Sequence, residues 1–130
     1  MHFTMKPIGY VKTDATEVPR HWSRSEVEGE LMIDEKYSSG LKDIEAGQKI
    51  IVIFAFHESE SFTPDLLIQK PPHKDSEKGV FSICSPKRPN PIGLSVVTVL
   101  SRKEHVIRIK NIDMIDGTPI LDIKPLIEPK

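Results

Sequence analysis

The run Cys84-Ser85-Pro86-Lys87-Arg88-Pro89-Asn90-Pro91-Ile92-Gly93-Leu94-Ser95 limits the fold more than any other part of the chain. Each of its three closely spaced prolines fixes φ and lacks a backbone N–H, so the run can continue neither a helix nor a central strand. Residues 79–83 before it and 94–100 after it are rich in the β-branched and aromatic side chains typical of strands. The pattern predicts a stiff polar loop that joins two buried strands.

Composition narrows the class of protein. A chain of 130 residues is long enough for one domain, residues 1–130, with its own core. The net charge is −1, so the molecule lacks a general basic field and any contact with nucleic acid has to be local. One cysteine excludes an internal disulfide, and no Cys/His cluster predicts a metal site. No segment approaches the roughly 20 apolar residues that span a bilayer, so we expect a soluble cytoplasmic protein.

Period-2 alternation of apolar and polar residues predicts half-buried strands at 27–33, 106–112 and 120–125. Residues 5–12 read as a first strand, and the uninterrupted apolar run 50–56 indicates a strand covered on both faces or deep in a barrel. Six or seven short strands, one short helix and long loops predict a mainly β fold, a small antiparallel β-barrel.

A short helix and a long polar loop complete the predicted fold. Tyr37, Leu41 and Ile44 recur at helical spacing, and Gly47 is suited to end the helix in the left-handed conformation. Residues 59–78 form a polar segment, within which residues 66–68 are predicted to form a short strand. This segment is either a mobile solvated loop or a local basic patch. The basic residues concerned are Lys70, His73, Lys74 and Lys78.

Several single residues allow two interpretations. Trp22 either covers the edge of the core or contacts a ligand or partner. His57 is either a solvated strand end or a catalytic base. Asp122 and Lys124 share one face of the last predicted strand, where an ordinary ion pair is the simplest interpretation. Cys84 is expected to be a small buried apolar residue and not a nucleophile.

The central run carries a resemblance. Gly-Val-Phe-Ser followed by Ser-Pro-Lys-Arg-Pro-Asn-Pro-Ile-Gly-Leu-Ser resembles the signature of the TsaA-like family, also called YaeB-like or TrmO. Ile8-Gly9, residues 40–45 and residues 116–125 resemble further blocks of the family in the same order. The resemblance implies a β-barrel that binds S-adenosylmethionine as a homodimer, with the cofactor near the subunit interface. It also implies methylation of tRNA at N6 of the threonylcarbamoyl-adenosine beside the anticodon.

Matched position by position, the resemblance also implies site residues. The implied cofactor contacts are Pro19, Arg20, His21, His57, Glu58, Leu94, Asp116, Gly117, Thr118 and Pro119. The candidate catalytic or substrate contacts are Arg88 and Asn90 at the tip of the proline-rich run, and Asp122 and Lys124 on the last predicted strand. Arg88 and Lys87 suit a phosphate or the carboxylate of the modified base. The acceptor N6–H is acidified by its acyl substituent, so His57, Glu58 or Asp122 is able to remove its proton.

Two positions depart from the family pattern. Cys84 stands where many members have Arg, and Leu126 stands where Tyr is common. Two alternatives therefore stay open beside the tRNA methyltransferase. One is a module that senses S-adenosylmethionine without catalysis, and the other is a methyltransferase of another RNA or a small molecule.

Overall fold

The computed structural model describes residues 1–72 and 74–129. Within those residues the backbone forms eight strands, six of which close into an antiparallel barrel. The strands are β1 (Gly9–Lys12), β2 (Glu28–Ile33), β3 (Lys49–Ala55), β4 (Ile68–Gln69), β5 (Lys78–Gly79), β6 (Ile92–Lys103), β7 (Val106–Lys110) and β8 (Pro119–Pro125). Around the barrel the order is β1-β2-β7-β6-β3-β8, while β4 pairs with β5 in a small separate sheet. The predicted antiparallel barrel is confirmed.

The core fills the inside of the barrel. Side chains alternate across each strand, so Ile50, Val52 and Phe54 of β3 point inward and are at most 4% exposed. Ile51 and Ile53 of the same strand point outward and are half-buried. Full burial of one such side chain stabilises the fold by about 1.5–3 kcal/mol. One face of this uninterrupted apolar run thus packs in the core, and the other face forms an apolar surface on the outside of the barrel.

The longest strand, β6, pairs with β3 on one side and with β7 on the other. The predicted hairpin between 94–100 and 106–112 is confirmed, although β6 extends to Lys103 and the turn lies at residues 104–105. Glu104 takes a positive φ of 56° in this turn. A register shift between Val99 and Ser101 bends the strand, as expected where a long strand follows the curvature of a small barrel.

The predicted helix over 37–44 is a 3₁₀ helix over Glu35–Leu41. The carboxylate of Asp34 begins it by accepting a hydrogen bond of 3.1 Å from the Lys36 backbone N–H. Gly47 has a left-handed φ of 94° but does not end this helix, because the helix stops at Leu41 and Asp43, at φ 72°, has already turned the chain. Leu41 is the buried residue of this helix, so the helix packs on the core mainly through this side chain.

Residues 79–83 were predicted as a buried strand, and that prediction is wrong. β5 ends at Gly79 and the chain makes a 3₁₀ turn over Val80–Ser82, which buries Val80 and leaves Phe81 78% exposed. One turn brings a single apolar side chain into the core without the partner strand that a longer extended segment needs. A similar correction applies to 66–68, because a 3₁₀ helix over Pro64–Leu67 delays the strand until Ile68.

The first strand begins at Gly9, later than the predicted residue 5. Pro7 has no backbone donor, so it cannot extend the ladder toward β8. The ladder reaches Ile8, whose N–H donates to the carbonyl of Ile120 over 2.7 Å.

In the part of the chain that the structure describes, no helix combines the length and apolar character needed to cross a bilayer. His73, one member of the predicted basic patch, lies outside the described residues.

Candidate functional site

Most of the predicted site residues lie at one end of the barrel, here called the upper end. β1, β3 and β7 finish there, while the antiparallel strands β2, β6 and β8 begin there. The loops at this end are the early loop (13–27), the proline loop (84–91) and the rim turn (111–118). Residues distant in sequence therefore meet at one end because adjacent strands run in opposite directions.

Below this end, the outward-facing residues of β6, β3 and β8 form an apolar surface with a charged margin. Ile53 of β3 lies opposite Leu94 on one side and Asp122 on the other, and directly opposed residues share a face of the sheet. Leu94 is 51% exposed. The surface, here called the outer face, consists of Ile51, Ile53, Leu94, Val96, Asp122 and Lys124.

Asp122 and Lys124 form the ion pair expected from the sequence. Lys124 Nζ lies 2.9 Å from Asp122 Oδ2, and the other carboxylate oxygen accepts a 2.8 Å hydrogen bond from the Ile123 N–H. Both residues also line a cleft of about 690 Å³ that extends toward the lower end of the barrel, beside the Glu35–Leu41 helix. The two candidate catalytic residues therefore reach both the outer face and a recess large enough for a small ligand.

His57 and Glu58 follow the upper end of β3, four and five residues after Ile53. His57 Nε2 lies 4.0 Å from Glu58 Oε1, and the Glu58 side chain is 72% exposed. A second contact holds this turn to the proline loop, because the Ser59 hydroxyl donates to the carbonyl of Pro86 over 3.0 Å. The pair thus stands between β3 and the proline loop with its polar atoms open to a ligand.

The proline loop is shaped by its own polar residues. The guanidinium of Arg88 donates from one nitrogen to the carbonyls of Ile83 and Ser85, at 3.0 and 3.1 Å. Gln69 braces the loop from outside through a 2.7 Å hydrogen bond to the Lys87 carbonyl. Asn90 is exposed beside them, and its carbonyl accepts the Ile92 N–H. Arg88 is therefore first of all an organiser of the loop, with Asn90 presented at its surface.

Cys84 was expected to be buried, and that expectation is wrong. The residue is exposed, because the preceding 3₁₀ turn over Val80–Ser82 buries Val80 alone. Its carbonyl neighbours on both sides, at Ile83 and Ser85, are the acceptors of the Arg88 guanidinium. The thiol therefore lies at the surface of the proline loop.

The early loop approaches β6 through a single 3₁₀ turn, Trp22–Arg24. His21 precedes it and bonds Ser23 Oγ through Nδ1 at 2.7 Å, while its ring lies 4.9 Å from that of Trp22. Pro19 is half-buried and Arg20 is exposed. Trp22 is half-buried in this turn, so part of its ring remains accessible.

The rim turn contains the Asp-Gly-Thr-Pro segment, and two of its side chains are already engaged. Asp116 Oδ1 accepts the Thr13 N–H at 2.9 Å, and the buried Thr118 hydroxyl donates to the Ile115 carbonyl at 2.7 Å. Gly117 has a φ of 85°, which favours glycine at that position. A cleft of about 530 Å³ also opens beside Gly117, Pro119 and Tyr10. Gly117 and Pro119, the first residue of β8, thus line this cleft, while Ile115 and Asp116 are exposed elsewhere on the turn.

Asp113, also in the rim turn, was not singled out from the sequence. Its carboxylate accepts a short hydrogen bond from the hydroxyl of Ser95, which is fully buried. Burial raises the pKa of Asp113 above its ordinary value, while Ser95, the Trp22 backbone N–H and nearby His21 oppose the rise. One signal was available, since Ser95 is polar on a strand face that continues inward with Val97 and Val99.

The structure thus brings the loops around 19–21, 57–58, 90 and 116–119 to one end, with Leu94 and Asp122 on the adjoining outer face. Lys124 pairs with Asp122 on that face, and both residues line the lower cleft. Across the described residues, no group of three His, Cys, Asp or Glu side chains is arranged to hold a metal ion.

Residues 10–129 match the family model described as the tRNA-methyltransferase O N-terminal domain. The chain belongs to this family. The match covers the barrel, the proline loop and the rim turn, so the family resemblance seen in the sequence is confirmed.

Relatives within the tRNA-methyltransferase O family carry two kinds of name. A Pyrococcus abyssi protein named "Probable S-adenosyl-L-methionine-binding protein" is 40% identical over 94% of this chain and 67% of its own length. An Archaeoglobus fulgidus protein named "S-adenosyl-L-methionine-binding protein" is 37% identical over 92% of this chain and 86% of its own. The human tRNA (adenine(37)-N6)-methyltransferase is 32% identical over 94% of this chain but only 30% of its own length.

Solved structures of the family share the fold. The crystal structure of TrmO from Pseudomonas aeruginosa superposes with a TM-score of 0.76 at 28% identity and covers 98% of this chain. A further TrmO crystal structure gives a TM-score of 0.74 at 26% identity. The chain spans 55% and 58% of those two solved chains.

Proposed function

We propose that this chain binds S-adenosylmethionine at the upper end of the barrel and transfers its methyl group to N6 of a threonylcarbamoyl-adenosine in tRNA. The observation that supports this most is the convergence of the family-matched residues on that end and on the adjoining outer face. A tRNA substrate implies a cytoplasmic protein.

The residues at this end suit the cofactor. Leu94 is half-exposed beside Ile53 and offers an apolar surface for an adenine ring. Glu58 keeps its carboxylate in solvent, where it can bind ribose hydroxyls or the ammonium group. The open backbone at Gly117 admits a close approach because no atom lies within 4 Å of the position where a Cβ would be. Pro19, Arg20 and His21 would complete the site from the early loop.

S-adenosylmethionine supplies an electrophilic methyl group, so the protein has little covalent work to do. What it must do is hold the acceptor nitrogen in line and remove one proton from it. His57, Glu58 and Asp122 are the candidate acceptors. Asp122 is already engaged by Lys124 at 2.9 Å, so its oxygens are less free to meet the acceptor than those of the exposed Glu58.

The proline loop would receive the tRNA. Lys87 and Asn90 are exposed on it, and the hydrogen bonds of Arg88 and Gln69 hold its backbone in one shape. A preformed loop loses little entropy on binding. Phosphate or the carboxylate of the modified base fits the positive charge of Lys87 and Arg88.

A homodimer would use the outer face. Ile51, Ile53 and Val96 are apolar yet only half-buried, and an apolar patch of this kind marks an interaction surface. A second copy placed there would bring its own loops toward Leu94 and Asp122, which lie on the face and not in an enclosed pocket. The cofactor would then be closed in by both subunits.

A second function is favoured by one comparison. The archaeal relatives that cover nearly all of this chain are named for S-adenosylmethionine binding alone, while the chain spans 30% of the human methyltransferase. A sensor that binds the cofactor without transferring its methyl group is therefore the alternative.

Calorimetric titration with S-adenosylmethionine, followed by labelled-methyl transfer, separates these functions. Transfer is measured to tRNA that carries threonylcarbamoyl-adenosine and, as the control, to the same tRNA without the modification. Binding with transfer to the modified tRNA alone supports the methyltransferase. Binding without transfer to either tRNA supports the sensor or a methyltransferase of another acceptor, and absence of binding contradicts all three.

A further inference from the structure

The early loop is fastened to the barrel by consecutive residues that follow β7. The Asn111 side chain donates to the carbonyl of Ser25 over 2.8 Å, and the buried Ser25 hydroxyl donates to the carbonyl of Ile112. Asn111 takes a φ of 80°, a conformation that asparagine tolerates. These bonds hold the end of the Trp22–Arg24 turn.

The beginning of the same turn meets Asp113. The Trp22 backbone N–H and the His21 ring lie close enough to the Asp113 carboxylate to oppose the rise of its pKa. On its other side the carboxylate accepts the hydroxyl of Ser95. Ser95 is 0% exposed and lies on β6, directly opposite Val52 of β3. The carboxylate therefore lies between the surface turn and a strand of the barrel.

Placing this pair inside the barrel has a cost. The Ser95 hydroxyl and the Asp113 carboxylate occupy a position on β6 where the strand otherwise continues inward with the apolar Val97 and Val99. A carboxylate removed from water is unfavourable unless it has hydrogen-bond partners. In the folded chain it has such partners, which makes the arrangement specific. Polar groups buried as a satisfied network fix one conformation of the elements they join.

We propose that Asp113 and Ser95 are a positioning pair that fastens the Trp22–Arg24 turn to β6 and so holds the early loop in the shape that meets the cofactor. The last step of this inference rests on the proposed function. The first step, the fastening of the turn, does not.

Trp22 makes the first step measurable, since it is the one tryptophan in the sequence and lies in the turn itself. Ser95→Ala and Asp113→Asn are each expected to shift Trp22 emission to longer wavelength and to raise its acrylamide quenching constant about twofold, because the turn opens locally. Both measurements are made without cofactor. Circular dichroism is expected to show the barrel still folded at the same temperature.

The matched control is Thr63→Val. Thr63 also has a hydroxyl that donates to a carboxylate, that of Asp65, but this pair lies in the segment before β4 and not in the barrel. Its loss is expected to leave Trp22 quenching unchanged. The double variant Ser95→Ala/Asp113→Asn is expected to change quenching no more than either single variant, because both act through one connection.

Calorimetry then tests the second step. The dissociation constant for S-adenosylmethionine is expected to rise about tenfold in Ser95→Ala and Asp113→Asn, a loss of about 1.4 kcal/mol. Unchanged quenching in both variants overturns the proposal whether or not the cofactor binds. Changed quenching with unchanged affinity overturns the role toward the cofactor. If the wild type fails to bind S-adenosylmethionine while quenching responds, the proposed function is wrong and the fastening of the turn stands.

Discussion

Asp113 keeps its carboxylate partly out of water at the upper end of the barrel, and that environment gives stability a pH dependence. Burial raises its pKa above the ordinary 3.8, so the folded chain holds the proton more tightly than the unfolded chain. The stabilising contribution is complete below the unfolded pKa and is lost as the pH rises through the folded pKa.

We therefore expect the unfolding free energy of the wild type to fall relative to that of Asp113→Asn as the pH rises from about 4. Urea denaturation of both proteins across a series of pH values measures the difference. Parallel curves for the two proteins would show that Asp113 is equally solvated in both states.

Gly93 is a second residue whose role is set by its surroundings. A Cβ at this position would lie 2.3 Å from Phe54 Cζ and 2.8 Å from Phe56 Cζ, and those two rings already pack edge to face at a centroid distance of 5.0 Å. The glycine therefore makes room for the aromatic pair that closes the upper end of the core.

Gly93→Ala is expected to lower the unfolding free energy by about 1–3 kcal/mol, the usual cost of overpacking a core. Gly40→Ala is the control, because a Cβ there meets nothing within 4 Å, and it should leave stability unchanged or slightly raise it. Thermal unfolding of the two variants measures both. Equal stability of the two would contradict the packing argument.

Among the elements, the proline loop shows how a segment without regular structure becomes rigid. Its prolines restrict φ, and Arg88, Gln69 and Ser59 bind its carbonyls from within and from outside. Such a loop presents Lys87 and Asn90 with little loss of conformational entropy when a ligand binds.

Arg88→Ala is expected to reduce methyl transfer at least about tenfold while lowering the unfolding free energy by only about 1 kcal/mol, since its bonds stabilise a surface loop. Arg102→Ala is the matched control, because Arg102 also donates to two backbone carbonyls, those of Ile44 and Glu104, but at the lower end. Steady-state kinetics and thermal unfolding are measured on both. An equal loss of activity in the control would mean that the proline loop has no special role.

The elements also show what the sequence could predict. β2, β7 and β8 follow from alternation because one of their faces is buried, and the 3₁₀ turn at Val80–Ser82 was missed because its apolar composition is the same as that of a strand. Leu94 was named by matching the family motif residue by residue and Asp122 by the chemistry of its carboxylate, and the roles of both stay predictions. The bond between Ser95 and Asp113 joins residues 18 positions apart through the tertiary fold, so no local pattern reports it.

For the whole molecule, the informative feature is that the outward face of β3 is apolar although it is only half-buried. Its outward residues Ile51 and Ile53 are as apolar as its inward ones, yet they are only half-buried in the isolated chain. Leu94 beside them is 51% exposed. This face has the composition of a buried one, which supports the proposed homodimer.

Leu94→Glu is expected to convert the dimer to a monomer and to weaken cofactor binding at least about tenfold, because it places a charge in a desolvated interface. Leu67→Glu is the matched control, since Leu67 is 44% exposed but lies in the 3₁₀ helix before β4. Sedimentation velocity and calorimetry measure both effects. A wild type that sediments as a monomer at all concentrations would contradict the dimer.

Closure of the barrel has one more consequence, for the way in which a partner recognises it. The edge strands of an open sheet can pair with other chains through their unpaired backbone groups. Such pairing is insensitive to side chains and can lead to aggregation. Here each barrel strand is paired on both sides, so the backbone is already occupied. Recognition of the barrel therefore depends on its side chains, so single substitutions on the outer face can change the choice of partner without disturbing the barrel beneath.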